Sequence, residues 1–301
     1  MIGLALSASL YFLFYSSALT VFGYSYDLLL TSAIALAFFV HLGASLSGPR
    51  NRFAALLLGL TITLIVEEFL TNSLYMLYGL FLALAMTIIL PVAAIFAHDY
   101  ARCLEAYGIV FVSRIVFIPL RPFILAETLS QPLLYTLIFL GMAFYMRFRD
   151  IPLDFPGFVR GRLSIYLQIP AAVAMGIVAG FIEYQILRPR PIGSPERLLE
   201  TLVYLGIVMI LFVAVTEELM FRGLLQNFMS DVVPAAQSIL ITSVQFGLMH
   251  VGWGVPLELL FAYVAGVLFG TIFYLTKSMV MPITIHGVGN FTLYILALFL
   301  K

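Results

Sequence analysis

Continuous apolar runs of about 20 residues recur along the chain, and they restrict its fold more than any other feature. A helix needs about that length to cross the hydrocarbon core of a bilayer, and it satisfies its own backbone hydrogen bonds while doing so. A membrane β-barrel would instead show alternating segments of about ten residues. The chain is 63% hydrophobic and 10% charged. A soluble domain is roughly 45–50% apolar and about 25% charged, and its core would be too small to hide this much apolar surface. The expected fold class is an all-α polytopic membrane protein with about 8–11 transmembrane helices. That makes it an integral, multi-pass protein, in the plasma membrane if the source is prokaryotic.

The runs are roughly Ile2–Val21, Leu28–Ala44, Phe53–Val66, Leu74–Ala97, Tyr107–Leu125, Pro132–Met146, Ile165–Ile186, Thr201–Val215, Pro234–Val251, Pro256–Leu275 and Met281–Leu300. Phe53–Val66 is short and ends in Glu67-Glu68, and Tyr107–Leu125 carries Arg114 and Arg121, so these two are candidates for the membrane interface. No Lys or Arg precedes Arg50, so the N-terminus lacks the basic region of a cleavable signal and reads as a first spanning helix. The stretch Arg147 to Arg162 is the strongest polar break. It divides the chain into N-terminal helices (1–150), a polar loop (151–164) and a C-terminal domain (165–301). Positive-inside counting places this loop and Arg50/Arg52 in the cytoplasm, while Arg188, Arg190 and Arg197 then fall outside as a contrary signal. Formal net charge is zero, which gives no reason to expect a nucleic-acid partner. The single Cys103 permits neither an internal disulfide nor a cysteine metal site. No feature sets an oligomeric state.

Against this background the segment Thr216-Glu217-Glu218-Leu219-Met220-Phe221-Arg222 stands out, because Val203 to Val215 before it carries no charge. An ionisable group at the centre of a membrane helix costs roughly 2.5–3.5 kcal/mol on insertion scales and usually marks function. Glu218 and Arg222 are four residues apart, hence on one helical face, where a salt bridge lowers the cost of burying both. Glu217 is rotated by about 100° and is left free to face a cavity, where a desolvated carboxylate can serve as a general base. A structural knot of all three between helices is the bland alternative.

His250 ends the next apolar segment, one turn after Phe246 and just before the flexible Val251-Gly252-Trp253-Gly254. A helix cap is its plain reading. In the last run His286 and Asn290 share a face, and Gly287 and Gly289 thin the helix so that a backbone or substrate can approach. An interhelical hydrogen bond is the plain reading of that pair. Pro282 should weaken or kink the same helix at its start. Three segments thus deliver a carboxylate, two imidazoles and an amide, enough to activate a water and stabilise an oxyanion. Glu217, His250 and His286 could instead hold a divalent metal such as zinc.

Glu-Glu-x-x-x-Arg at Glu217, Glu218 and Arg222, Phe-x-x-x-His at Phe246 and His250, and His-x-x-x-Asn at His286 and Asn290 together resemble the CPBP (ABI) family. This group includes type 2 CAAX prenyl proteases and bacteriocin-processing and immunity proteins. The resemblance covers about residues 165–300. It implies a CAAX-protease-like helical core and an intramembrane endopeptidase acting on a peptide or protein substrate, lipid-modified in the prenyl branch. It further implies that Glu217 and His250 activate water, that His286 and Asn290 form the oxyanion hole, and that Glu218, Arg222 and Phe246 support the site. A glutamate-type mechanism without a cofactor is expected, with zinc as the metal alternative. The competing functions are a transporter using Glu217 as a proton or cation relay and a non-catalytic immunity or scaffold protein. Confinement of the polar groups to the C-terminal half disfavours the transporter.

A second acidic pair, Glu67-Glu68, serves as an internal control. It has Asn72 where the motif needs Arg, and no Phe-x-x-x-His at the expected distance. Glu67, Glu68, His41 and His98 are expected to be interfacial or structural, Arg114 and Arg121 to snorkel or lie at the interface, and Gly266-x-x-x-Gly270 to pack helices.

Overall fold

The computed structural model describes residues 49–71, 76–117, 130–152, 154, 157, 164–189, 196 and 198–300. The runs Ile2–Val21 and Leu28–Ala44, with His41, Asn72, Arg121, Arg190 and Arg197, lie outside the described residues. Every regular element among the described residues is helical. The chain follows α1 (Pro49–Thr71), α2 (Met76–Phe96), α3 (Ala101–Phe117), α4 (Ser130–Phe148) and α5 (Ile165–Leu187). It continues through α6 (Leu198–Ser230), α7 (Ala235–Leu248), α8 (Pro256–Thr276) and α9 (Val280–Phe299). Five of these, α2, α5, α6, α8 and α9, are long and apolar enough to cross a membrane. Their outer faces carry large apolar side chains such as Phe81, Phe96, Tyr166 and Leu199, all exposed. In water that surface would be a heavy liability, whereas in lipid it is solvated.

The eighth apolar run was expected to end at Val215, where the first charges appear. The helix instead runs on to Ser230, 33 residues in all. Its charges do not stop it because they are paired inside the bundle rather than exposed to lipid. Two stretches of α6, Val208–Ala214 and Leu219–Gln226, are wound as π-helix, and they flank the ordinary α-turn Val215–Glu218. Such widened turns are frequent at functional sites.

Glycines set how closely the C-terminal helices approach. A Cβ on Gly176 of α5 would lie 2.8 Å from the Ile285 carbonyl oxygen of α9, and one on Gly180 would strike Gly289. A Cβ on Gly287 would lie 2.8 Å from Ile210 Cα of α6. The expected close approach at Gly287 and Gly289 is therefore to neighbouring backbones. Gly266 packs on Ser243 of α7, where a Cβ would be 3.0 Å from Ser243 Cα, in keeping with the expected packing motif. Pro282 sits in the first turn of α9, where its missing N–H has no helical partner to lose.

The N-terminal helices join this bundle through buried polar contacts. Arg114 was expected to snorkel or lie at an interface, but it is 2% exposed. Its Nε donates to Glu67 at 3.0 Å and its Nη2 lies 2.6 Å from Glu68. Both glutamates are fully buried, so of the two expected roles the structural one applies. A charge with a partner at this distance can stay inside, whereas a lone one must reach water. Tyr107 of α3 accepts a hydrogen bond from Gln245 of α7. His98 is exposed at a helix end, as expected.

Gly287→Ala should cost about 1–3 kcal/mol through backbone overpacking. Gly141→Ala, with nothing within 4 Å of the added methyl, should be neutral or stabilising by up to about 1 kcal/mol. Thermal unfolding of both variants in detergent checks the contrast.

Candidate active site

Glu218 is the centre of the buried polar cluster. Its side chain is fully buried, and its Oε1 accepts from Arg222 Nη1 at 2.9 Å and from His286 Nδ1 at 2.8 Å. The first contact is the expected i, i+4 pair. The second links α6 to α9 and was not legible in the spacing. Arg222 Nη2 also donates to the Gly266 carbonyl of α8 at 3.3 Å, and the guanidinium lies 4.3 Å from the Phe246 ring centroid. Phe246 meets His286 edge-on at 5.6 Å, and Phe269 stacks on the same imidazole at 5.7 Å. Phe246 is therefore a packing wall shared by the cation and the imidazole, consistent with a supporting part.

His286 has a defined tautomeric frame. Nδ1–H donates to Glu218, so Nε2 is turned toward Glu217, 3.7 Å from its Oε2. That exceeds a direct hydrogen bond, yet one water or substrate oxygen can lie within bonding distance of both atoms. The other Glu217 oxygen, Oε1, accepts from the Tyr135 hydroxyl at 2.7 Å.

His250 lies beyond the end of α7, at φ −95° and ψ 2°, in the bridge region that active-site residues often occupy. The turn is completed by Gly254 at φ +68°, a left-handed conformation that suits glycine. Nδ1–H of His250 donates to the Phe246 carbonyl at 2.9 Å, leaving Nε2 as the available acceptor of the neutral ring.

Glu217, His250, His286 and Asn290 all line one cavity of about 380 Å³. The expected site residues thus come together. Six segments form the wall, including two from the N-terminal half: Arg114 and Phe117 from α3, and Gln131 and Tyr135 from α4. Sequence reasoning missed Tyr135 because one tyrosine in an apolar helix is unremarkable. It also missed Glu183 of α5 and Glu258 of α8, which face each other beside a small annex bordered by His250, His286 and Asn290. Their signal was visible, since each is a lone carboxylate within a spanning run. Glu258 lies in the first turn of α8, where the helix dipole favours a negative charge.

The metal alternative needs Glu217, His250 and His286 to converge as ligands. No group of three or more His, Cys, Asp or Glu among the described residues has an arrangement able to hold a metal ion.

Residues 199–292 match the family model described as Type II CAAX prenyl endopeptidase Rce1-like. The match spans all three motifs, from α6 into α9. No curated protein and no solved structure matches the chain. Helical spans, an all-helical bundle and this C-terminal domain define the class as an integral membrane protein carrying a CAAX-type endopeptidase-like domain.

Arg222→Ala should destabilise the fold by about 3–5 kcal/mol, because it leaves Glu218 buried without its cation. Glu217→Gln, which keeps the shape and an acceptor for Tyr135, should cost about 1 kcal/mol or less. Detergent melting curves of the two variants separate a structural from a non-structural carboxylate.

Proposed function

We propose that the protein is an intramembrane endopeptidase of the glutamate type, acting on a membrane-associated, prenyl-type peptide substrate. The observation that carries this reading is the shared cavity, onto which Glu217, His250, His286 and Asn290 open from α6, the turn after α7, and α9. The matched CAAX endopeptidase domain supports the reaction class and the prenyl-type substrate.

Glu217 Oε2 takes a proton from a water held between it and His250 Nε2. The resulting hydroxide attacks the scissile carbonyl. The negative charge that develops on the carbonyl oxygen is met by the Asn290 amide and by His286 Nε2–H. His286 works in its imidazolium form, because Nδ1–H is already committed to Glu218. As the tetrahedral intermediate collapses, the carbon–nitrogen bond breaks, and the Glu217 carboxyl returns its proton to the leaving amine. Glu218, Arg222 and Phe246 hold His286 in place without touching the reacting atoms.

Cleavage of an internally quenched peptide ending in farnesylated cysteine-aliphatic-aliphatic-X tests the reading, with the protein in detergent or liposomes. Glu217→Gln and His250→Ala should each lose at least about a hundredfold in kcat, and Asn290→Ala about a hundred- to a thousandfold. Full activity of Glu217→Gln would refute the general-base role. Chelator should leave the rate unchanged; a loss restored by zinc would replace this mechanism with a metal-dependent one.

A further inference from the structure

We propose that Tyr135 is a positioning residue for Glu217, supplied by a helix that lies outside the family-matched segment. The inference rests on the general-base reading of Glu217. Tyr135 is on α4, whereas the match begins at residue 199. Its hydroxyl donates to Glu217 Oε1 at 2.7 Å, a charge-assisted bond to the carboxylate. A glutamate side chain has three rotatable bonds. Among the described residues, the Tyr135 hydroxyl is the one hydrogen-bond partner of Glu217, with His286 Nε2 at 3.7 Å.

The bond sorts the two carboxylate oxygens. Oε1 is occupied by the phenol, so Oε2 is the oxygen left to face His286 Nε2 and the water site. The phenol is itself held. Its ring meets Phe117 of α3 edge-on at 5.1 Å, and Thr216 Oγ1 donates to the Tyr135 carbonyl at 3.4 Å. The residue just before Glu217 therefore anchors the backbone of the residue that orients Glu217. Such a double attachment is more than helix packing requires, and it gives α4 a part in the chemistry of the C-terminal domain.

The test uses the full chain in detergent with the same farnesylated quenched peptide. Tyr135→Phe should lower kcat by about tenfold or more, the worth of a hydrogen bond to a charged group, with KM and melting temperature unchanged. Infrared difference spectra supply a readout that needs no turnover. The carboxylate band that vanishes in Glu217→Gln should shift in Tyr135→Phe. A kcat within about twofold of the parent, together with an unshifted band, would overturn the proposal. Failure of the proteolytic reading is distinguishable. If Glu217→Gln keeps full activity, or if the peptide is not cleaved at all, the infrared band still decides whether Tyr135 orients Glu217.

Discussion

One oxygen atom organises the centre of this molecule. Glu218 Oε1 accepts from Arg222 within α6 and from His286 on α9. Arg222 in turn binds the Gly266 carbonyl of α8 and lies against Phe246 of α7. Four helices therefore meet around one buried carboxylate. In a low-dielectric interior such a contact is strong only while every partner is present, and removal of one leaves an uncompensated charge. The glycines serve the same arrangement. Gly287 lets α9 sit against the backbone of α6, and Gly176 and Gly180 let α5 sit against α9. The ring of His286 can then reach Glu218 with one nitrogen and face Glu217 with the other.

The two acidic dipeptides of the chain show how tertiary company separates identical local sequences. Glu67 and Glu68 both turn to Arg114, a cation supplied from a different helix, and both are fully buried. Glu217 and Glu218 divide instead. Glu218 takes the cation of its own helix, and Glu217 opens on the cavity. The first pair builds a strut between α1 and α3. That strut also presents Arg114 at the cavity wall, so the N-terminal helices help shape the space in front of Glu217.

Much of the C-terminal half was legible because its signals are local. Helix existence follows from apolar run length, and the described runs appear within a few residues of their expected limits except at α1, α3 and α6. The Glu218–Arg222 pair follows from helical periodicity, and the closeness of α9 to its neighbours follows from Gly287 and Gly289. The fate of Arg114 was not legible. A cation in an apolar helix can snorkel or pair, and only the position of α1 decides between them. The second partner of Glu218 and the facing of Glu183 and Glu258 were hidden for the same reason. Each depends on the distance between residues far apart in the chain.

The sequence by itself determined that this chain is a bundle of membrane helices with a conspicuous set of polar residues in its C-terminal half. Apolar length and helical period are properties of contiguous residues, and lipid leaves the backbone few alternatives. The tertiary structure alone decided which of those polar groups face one another. It brought Glu217, His250, His286 and Asn290 onto one cavity, assigned Glu218 to both Arg222 and His286, and set Tyr135 of an N-terminal helix on Glu217. Hydrogen bonds act over about 3 Å, and no spacing rule within one helix specifies which atoms of another helix will fall within that reach.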